Sequence, residues 1–268
     1  VSEAFLYTTL AGLFGLLIGS FLNVCISRLP DDYSIDEPRS QCPRCGKMIE
    51  WYDNIPVLSF VVLGGKGRCC REPISFRYPA VELITGALFA AAVYRLGAGW
   101  AAVKWCLFIA ILIELIFSDL ESRILPDEFT KWGLALGVMM SPVVALPDGI
   151  VPAMLSAYYP AGNAALASFL NSSVSALALS GGLWFLGWGY EKLRGREGLG
   201  FGDVKMVAMM GAFLGLETAL VGLMAGSLLG TVLGLAWIRI RGENSDSYEL
   251  PFGSFLGVGA LVAAVLSL

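Results

Sequence analysis

Long apolar runs fill this chain, and short polar stretches divide them. A helix of about 20 apolar residues crosses a bilayer. The pattern therefore predicts membrane spans over residues 4–26, 78–97, 100–118, 130–147, 168–190, 203–216, 218–238 and 252–268. The sixth is short and starts on an acid, Asp203. One polar segment, 31–77, is long enough for a fold of its own. Connection 148–167 contains Pro152, Pro160 and Gly162 and no Lys or Arg, and reads as an irregular external loop. The expected fold is an all-α polytopic membrane protein of about eight transmembrane helices, with a small cytoplasmic cysteine-containing insert between the first two.

Composition agrees with that class. Of 268 residues, 56% are hydrophobic and 15% charged, against about a quarter charged in ordinary soluble domains. The N-terminal "VSEAFLYTTL" lacks the basic stretch of a cleavable signal, so its apolar run is expected to remain as a span. Formal net charge is −4, which gives no electrostatic case for nucleic acid. Sixteen of the eighteen basic residues fall in loops on one face, eight of them within 27–77, and only Arg95 and Lys104 lie on the other. By the positive-inside rule that face is cytoplasmic and both termini are outside.

The insert is too small to build a sufficient apolar core, and such modules usually need a metal or disulfide staple. It holds Cys42, Cys45, Cys69 and Cys70, and in a reducing compartment a metal is the expected staple. Cys25 and Cys106 lie in apolar runs and read as packing residues. Histidine is absent, which removes Ser-His-Asp nucleophile systems and His-ligated metals.

Asp119, in "IFSDLESRILPDE", ends the third span on the cytoplasmic side, and Asp203, in "GLGFGDVK", begins the sixth there. Ionisable groups at membrane depth are costly and mark functional sites by default. Two carboxylates in one low-dielectric pocket do not both ionise, so one is left to act as acid and one as base. Taken singly, either acid reads equally well as a helix cap. Asp127 reads as a cap for the following helix, and Glu82 and Glu114 as polar pairing residues. "GLGFGD" also mimics a nucleotide loop, but that fingerprint needs a preceding strand, and a membrane span stands there.

Together these residues resemble the type IV prepilin peptidases, the leader peptidase/N-methyltransferases within the G-x-G-D group of membrane aspartic proteases. The resemblance is carried by "GLLIGSFLNVCISRLP", "CPRCGKMIEWYDNIPVLSF", "PISFRYPAVE", "DLESRILPD", "GFGDVKM" and "PFGSFLGVGAL", in that order, the last with Ser254 where the family more often has Pro. It implies cleavage of the basic leader of type IV prepilins or type II secretion pseudopilins at the cytoplasmic face of the bacterial inner membrane. N-methylation of the new N-terminus with S-adenosylmethionine would follow. Asp119 and Asp203 would be the catalytic pair. Gly200 and Gly202, lacking Cβ atoms, would let the loop approach a substrate backbone. The chain would divide into a first transmembrane helix (1–27), a zinc-type cytoplasmic domain (28–77) and a membrane peptidase core (78–268).

The resemblance also implies zinc held by two C-x-x-C pairs. Cys42, Cys45 and Cys70 are the expected ligands and Cys69 a fourth, because Gly67 occupies the position of the remaining Cys. The acidic run Asp31, Asp32, Asp36 and Glu37 is a candidate for meeting a basic leader. Other classes compatible with membrane acids are an ion or proton carrier and a non-catalytic subunit of a secretion assembly.

Overall fold

The computed structural model describes residues 2–31, 33–34, 40–42, 44–146, 149–156, 163–195, 198–241 and 250–267. Asp32, Asp36 and Glu37 of the acidic run lie outside the described residues. Helices run over Glu3–Arg28 (α1), Leu58–Val62 (α2), Arg77–Leu96 (α3), Trp100–Ser122 (α4), Asp127–Met140 (α5), Ile150–Ser156 (α6), Ala164–Arg194 (α7), Phe201–Leu214 (α8), Leu216–Arg241 (α9) and Phe252–Ser267 (α10). Among the described residues, extended pairing is limited to two isolated bridges, Gln41 with Met48 and Lys66 with Pro73.

Among the described residues, five helices are long and apolar enough to cross a membrane: α1, α3, α4, α7 and α9. The chain is thus a multi-pass membrane protein with five candidate spans and a shorter apolar helix, α10. The runs at 130–147 and 203–216 are the 14-residue helices α5 and α8, each about 21 Å long. The 148–167 connection is less irregular than its sequence suggests, because α6 forms within it. Pro152 sits in the first turn of α6, where its missing N–H has no intrahelical partner to lose. The Ile150 N–H is taken by the Glu217 carboxylate.

The structure divides into two compact units, 1–114 and 115–268, with α4 running from the first into the second. In the first, α1 packs antiparallel to α3. Small residues allow the close approach by which membrane helices gain packing energy: a Cβ on Gly15 would lie 2.8 Å from the Gly86 Cα, and one on Gly19 would lie 2.6 Å from the Glu82 Cα. Asn23 fastens the crossing, its amide donating to the Tyr78 carbonyl at 3.1 Å. In the second unit α8 is the core. Its residues Val204 and Met206 through Leu214 are all buried, and α5, α7, α9 and α10 pack around it. A helix apolar on every side belongs inside a bundle. The Ser172 hydroxyl of α7 donates to the Ala212 carbonyl at 2.9 Å.

Gly19→Leu is expected to force α1 off α3, destabilising the fold by about 1–3 kcal/mol. Thermal unfolding in detergent should show a lowered midpoint, while the same change at Gly99, which has open space around it, should leave the midpoint unmoved.

Candidate active site and metal centre

Three helix ends of the second unit meet at one place. Helix α4 continues through Ser122, so Asp119 lies inside its last turn and is not an N-cap. Asp203 lies in the first turn of α8, behind the N-cap residue Gly200. One turn deeper, Ile116 of α4 and Met206 of α8 both crowd the position where Gly257 of α10 lacks a Cβ. Asp119 and Asp203 lie three residues from Ile116 and Met206, toward the ends of their helices, on the same flank and at the same level. The Leu125 side chain meets both the Cβ position of Gly202, next to Asp203, and that of Gly253, which faces the Asp119 Cγ, so the two acids flank one side chain. Asp119 is 5% exposed, and Asp203 is partly buried.

Helix α10 supplies what holds Asp119. The Ser254 N–H, one of the amides left without an intrahelical partner at a helix start, donates to Asp119 Oδ2 at 2.6 Å. The Ser254 hydroxyl lies 2.8 Å from the same oxygen and 2.9 Å from the Ile116 carbonyl. A hydroxyl has one proton and two lone pairs. Donating to Oδ2, it supports an ionised Asp119. Donating to Ile116, it leaves Oγ to accept from a protonated Asp119. Gly253 makes room for this, since a Cβ there would be 3.2 Å from the Asp119 Cγ and 3.0 Å from the Leu125 side chain.

Asp203 lies in the first turn of α8, where the unpaired amides of a helix N-terminus favour a negative charge. A Cβ on Gly200 would come within 3.2 Å of Asp203 Oδ2, and one on Gly202 within 3.3 Å of Leu125. Asp127 is the first residue of α5 and makes no cap bond. It binds Lys131 at 2.6 Å and also pairs with Lys205, which lies two places beyond Asp203.

The cysteine module is built from two turns of the same design. Around the first, the Cys42 N–H donates to Lys47 and the Gly46 N–H to Cys42. Around the second, the Gly67 N–H donates to Glu72 and the Arg71 N–H to Gly67. Gly46 and Arg71 both take positive φ, 69° and 60°. Gly67 therefore stands where Cys42 stands in the first turn, and Cys70 where Cys45 stands. Cys69 is the additional thiol, and it points into the cluster. Its Sγ is 3.1 Å from Cys45 and 3.9 Å from Cys70, and Cys42 and Cys70 are 3.7 Å apart. All four sulfurs lie within 4.8 Å of one another. Tetrahedral zinc with thiolate bonds of about 2.3 Å has sulfurs about 3.8 Å apart, so the donor set fits a metal. The backbone N–H groups of Cys45 and Arg44 hold the Cys42 thiol down at about 6, within reach of the thiolate that a metal needs. Contact with Cys45 pushes Cys69 up to about 12.

Comparison with known proteins fits this geometry. Residues 106–235 match the Type IV leader peptidase family, and residues 13–96 match the Bacterial Peptidase A24 N-terminal domain. The chain is 36% identical to the prepilin leader peptidase/N-methyltransferase of Aeromonas hydrophila over 285 residues, covering 96% of this chain and 90% of that protein. The protein of the same name from Myxococcus xanthus is 38% identical over 244 residues, 91% and 67% of the two chains. That of Pseudomonas aeruginosa is 31% identical over 274 residues, 94% and 87%.

The chain belongs to the type IV leader peptidase family. No solved structure matches it. Within this family member, sequence reasoning missed Ser254, Leu125 and the Lys205–Asp127 pair. Ser254 carried a legible signal, a hydroxyl residue in the first turn of an apolar helix just after Pro251. Leu125 carried none.

The equivalence of the two turns predicts the behaviour of a double variant. Gly67→Cys combined with Cys69→Ser should still hold one divalent metal per chain, since a Cβ at Gly67 faces the Cys70 sulfur at 3.8 Å. Elemental analysis of dialysed protein should show Cys42→Ser with a clearly lower metal content.

Proposed function

We infer that this chain is a membrane aspartic endopeptidase that removes the leader of prepilins and then N-methylates the exposed amine. The paired activities are those in the names of its full-length relatives. The observation that supports a catalytic pair is the approach of Asp119 and Asp203 at the joined ends of α4 and α8. They share one proton, because adjacent buried carboxylates do not both ionise. The ionised acid takes a proton from water as its oxygen attacks the scissile carbonyl carbon. The protonated acid gives its proton to the carbonyl oxygen. When the C–N bond breaks, a proton passes to the departing amine, and no covalent enzyme intermediate is needed.

Ser254 positions Asp119 in both protonation states without a side-chain rotation, since its hydroxyl turns between Oδ2 and the Ile116 carbonyl. Gly200 and Gly202 leave the α8 entrance low enough for an extended substrate strand to reach Asp203. Eight membrane crossings, including the short helices α5, α8 and α10, place both acids at the cytoplasmic side of the bacterial inner membrane with the termini outside. The concentration of basic residues on one face supports that orientation. The division into 1–27, 28–77 and 78–268 follows, and pseudopilins of type II secretion are the second substrate class. Zinc, held by Cys42, Cys45, Cys69 and Cys70, would tie the two turns of the module together. S-adenosylmethionine is the methyl donor by resemblance and supplies an electrophilic methyl group to the new amine.

In detergent with a purified prepilin, Asp119→Asn and Asp203→Asn should each lower the cleavage rate on the order of 10²–10⁴-fold. Undiminished cleavage by either variant would remove that acid from the pair.

Ser254→Ala should lower kcat by about tenfold with little change in KM, the worth of one hydroxyl hydrogen bond. Ser254→Pro, tolerated in a first helical turn, also removes the N–H and should lower kcat further. Equal kcat in all three proteins would rule out a positioning role.

A further inference from the structure

We propose that the turn and helix at residues 56–65 are sunk into the bilayer surface on the module's side, forming an interfacial wedge beside α3. The contact that fixes their depth is a hydrogen bond. The Val57 N–H donates to Glu82 Oε2 at 2.7 Å, and Glu82 is 7% exposed.

Two rulers locate Glu82. Helix α3 has 20 residues, about 30 Å of helix, which equals the thickness of the hydrocarbon layer. It must therefore be immersed from its first turn, and the step from Arg77 to Glu82 carries Glu82 about 8 Å inward. Helix α1 agrees. Gly19, packed on the Glu82 Cα, lies about 10 Å inside Ile26, where the apolar run of α1 ends. Val57 is tied to that level.

The segment is suited to such a place. Non-helical backbone survives at membrane depth only when its polar groups are paired. Val57, at φ 61° and ψ −46°, makes a tight turn in which the Leu58 N–H donates to Pro56 at 2.5 Å. The amides of Val61, Leu63, Gly64 and Gly65 are all bonded within the segment, and that of Ser59 donates to the Ile55 carbonyl just before it. Three of its apolar side chains face outward: Val61 and Val62 are 67% and 71% exposed, and Leu58 and the adjoining Phe76 are also open. Water would oppose that display, whereas the boundary between headgroups and acyl chains favours it. Exposed Lys66 and Arg71 follow the apolar stretch, at the position where anionic headgroups would meet them. The wedge is continuous with α3, a candidate span whose Leu83 and Ile84 are exposed.

The test is photo-crosslinking of the full chain in vesicles of phosphatidylethanolamine and phosphatidylglycerol. p-Benzoylphenylalanine is placed at Val62, at Ile84 on the exposed side of α3, or at Met48 in the module. Lipid adducts are then quantified by mass spectrometry. Position 62 should give a yield within about threefold of position 84 and about tenfold above position 48. In the position-62 protein, Glu82→Leu should bring the yield down toward that of position 48. Glu82→Gln, which keeps an oxygen acceptor for the Val57 N–H, should preserve it. A yield at position 62 no higher than at position 48 would overturn the proposal. So would adducts to an added prepilin in place of lipid, which would make this face a substrate surface.

Discussion

A carboxylate inside a helical bundle, where water cannot reach it freely, must find donors in the protein. Asp119 finds them at the start of α10, where Ser254 offers an amide that the helix itself cannot use and a hydroxyl beside it. That pair of hydrogen bonds fixes where α10 begins relative to α4. The missing side chains of Gly253 and Gly257 let the helices close to the required distance. Because Met206 of α8 is packed at the same Gly257, the position of Asp203 depends on the same contact. The site is thus set by one buried acid meeting one helix N-terminus, and the surrounding apolar packing holds that meeting in place.

The cysteine module solves a different problem by similar means. Its described residues bury few side chains, and its ordered turns are set by backbone hydrogen bonds and by positive φ at Gly46 and Arg71. Those two turns present sulfur atoms to a common centre. The loss of one ligand position to Gly67 is compensated by a neighbouring thiol, Cys69, which the curvature of the turn directs inward. The module is moored to the membrane helices through Glu82, whose carboxylate accepts from the Val57 amide. A buried acid again organises the local fold by collecting donors.

Much of the fold was legible as hydrophobic run length. The spans that became α1, α3, α4, α7 and α9 each contain a predominantly apolar window of membrane length. Run length says less about α5 and α8, which are only 14 residues each, and the extent of α8 is set by how completely its neighbours bury it. Helix α6 was hidden because Pro152 reads as a breaker in sequence, and only its place in a first turn makes it compatible with helix. Cys69 was expected beside Cys70 as a fourth thiol, but chain adjacency does not say whether two neighbouring sulfurs reach one centre; the shape of the turn brings both to it.

By itself the sequence determined the class of molecule, the uneven distribution of basic residues among its loops, and the two acids at the ends of apolar runs. These are properties of single segments, fixed by transfer energies and chain length. The tertiary structure alone decided that Ser254 holds Asp119, that Leu125 lies between Gly202 and Gly253, that the turns at Cys42 and Gly67 share one hydrogen-bond pattern, and that Val57 hangs from Glu82. Each of these joins residues far apart in the chain. Hydrogen-bond direction and the space left by an absent Cβ become defined only when the helices are packed against one another.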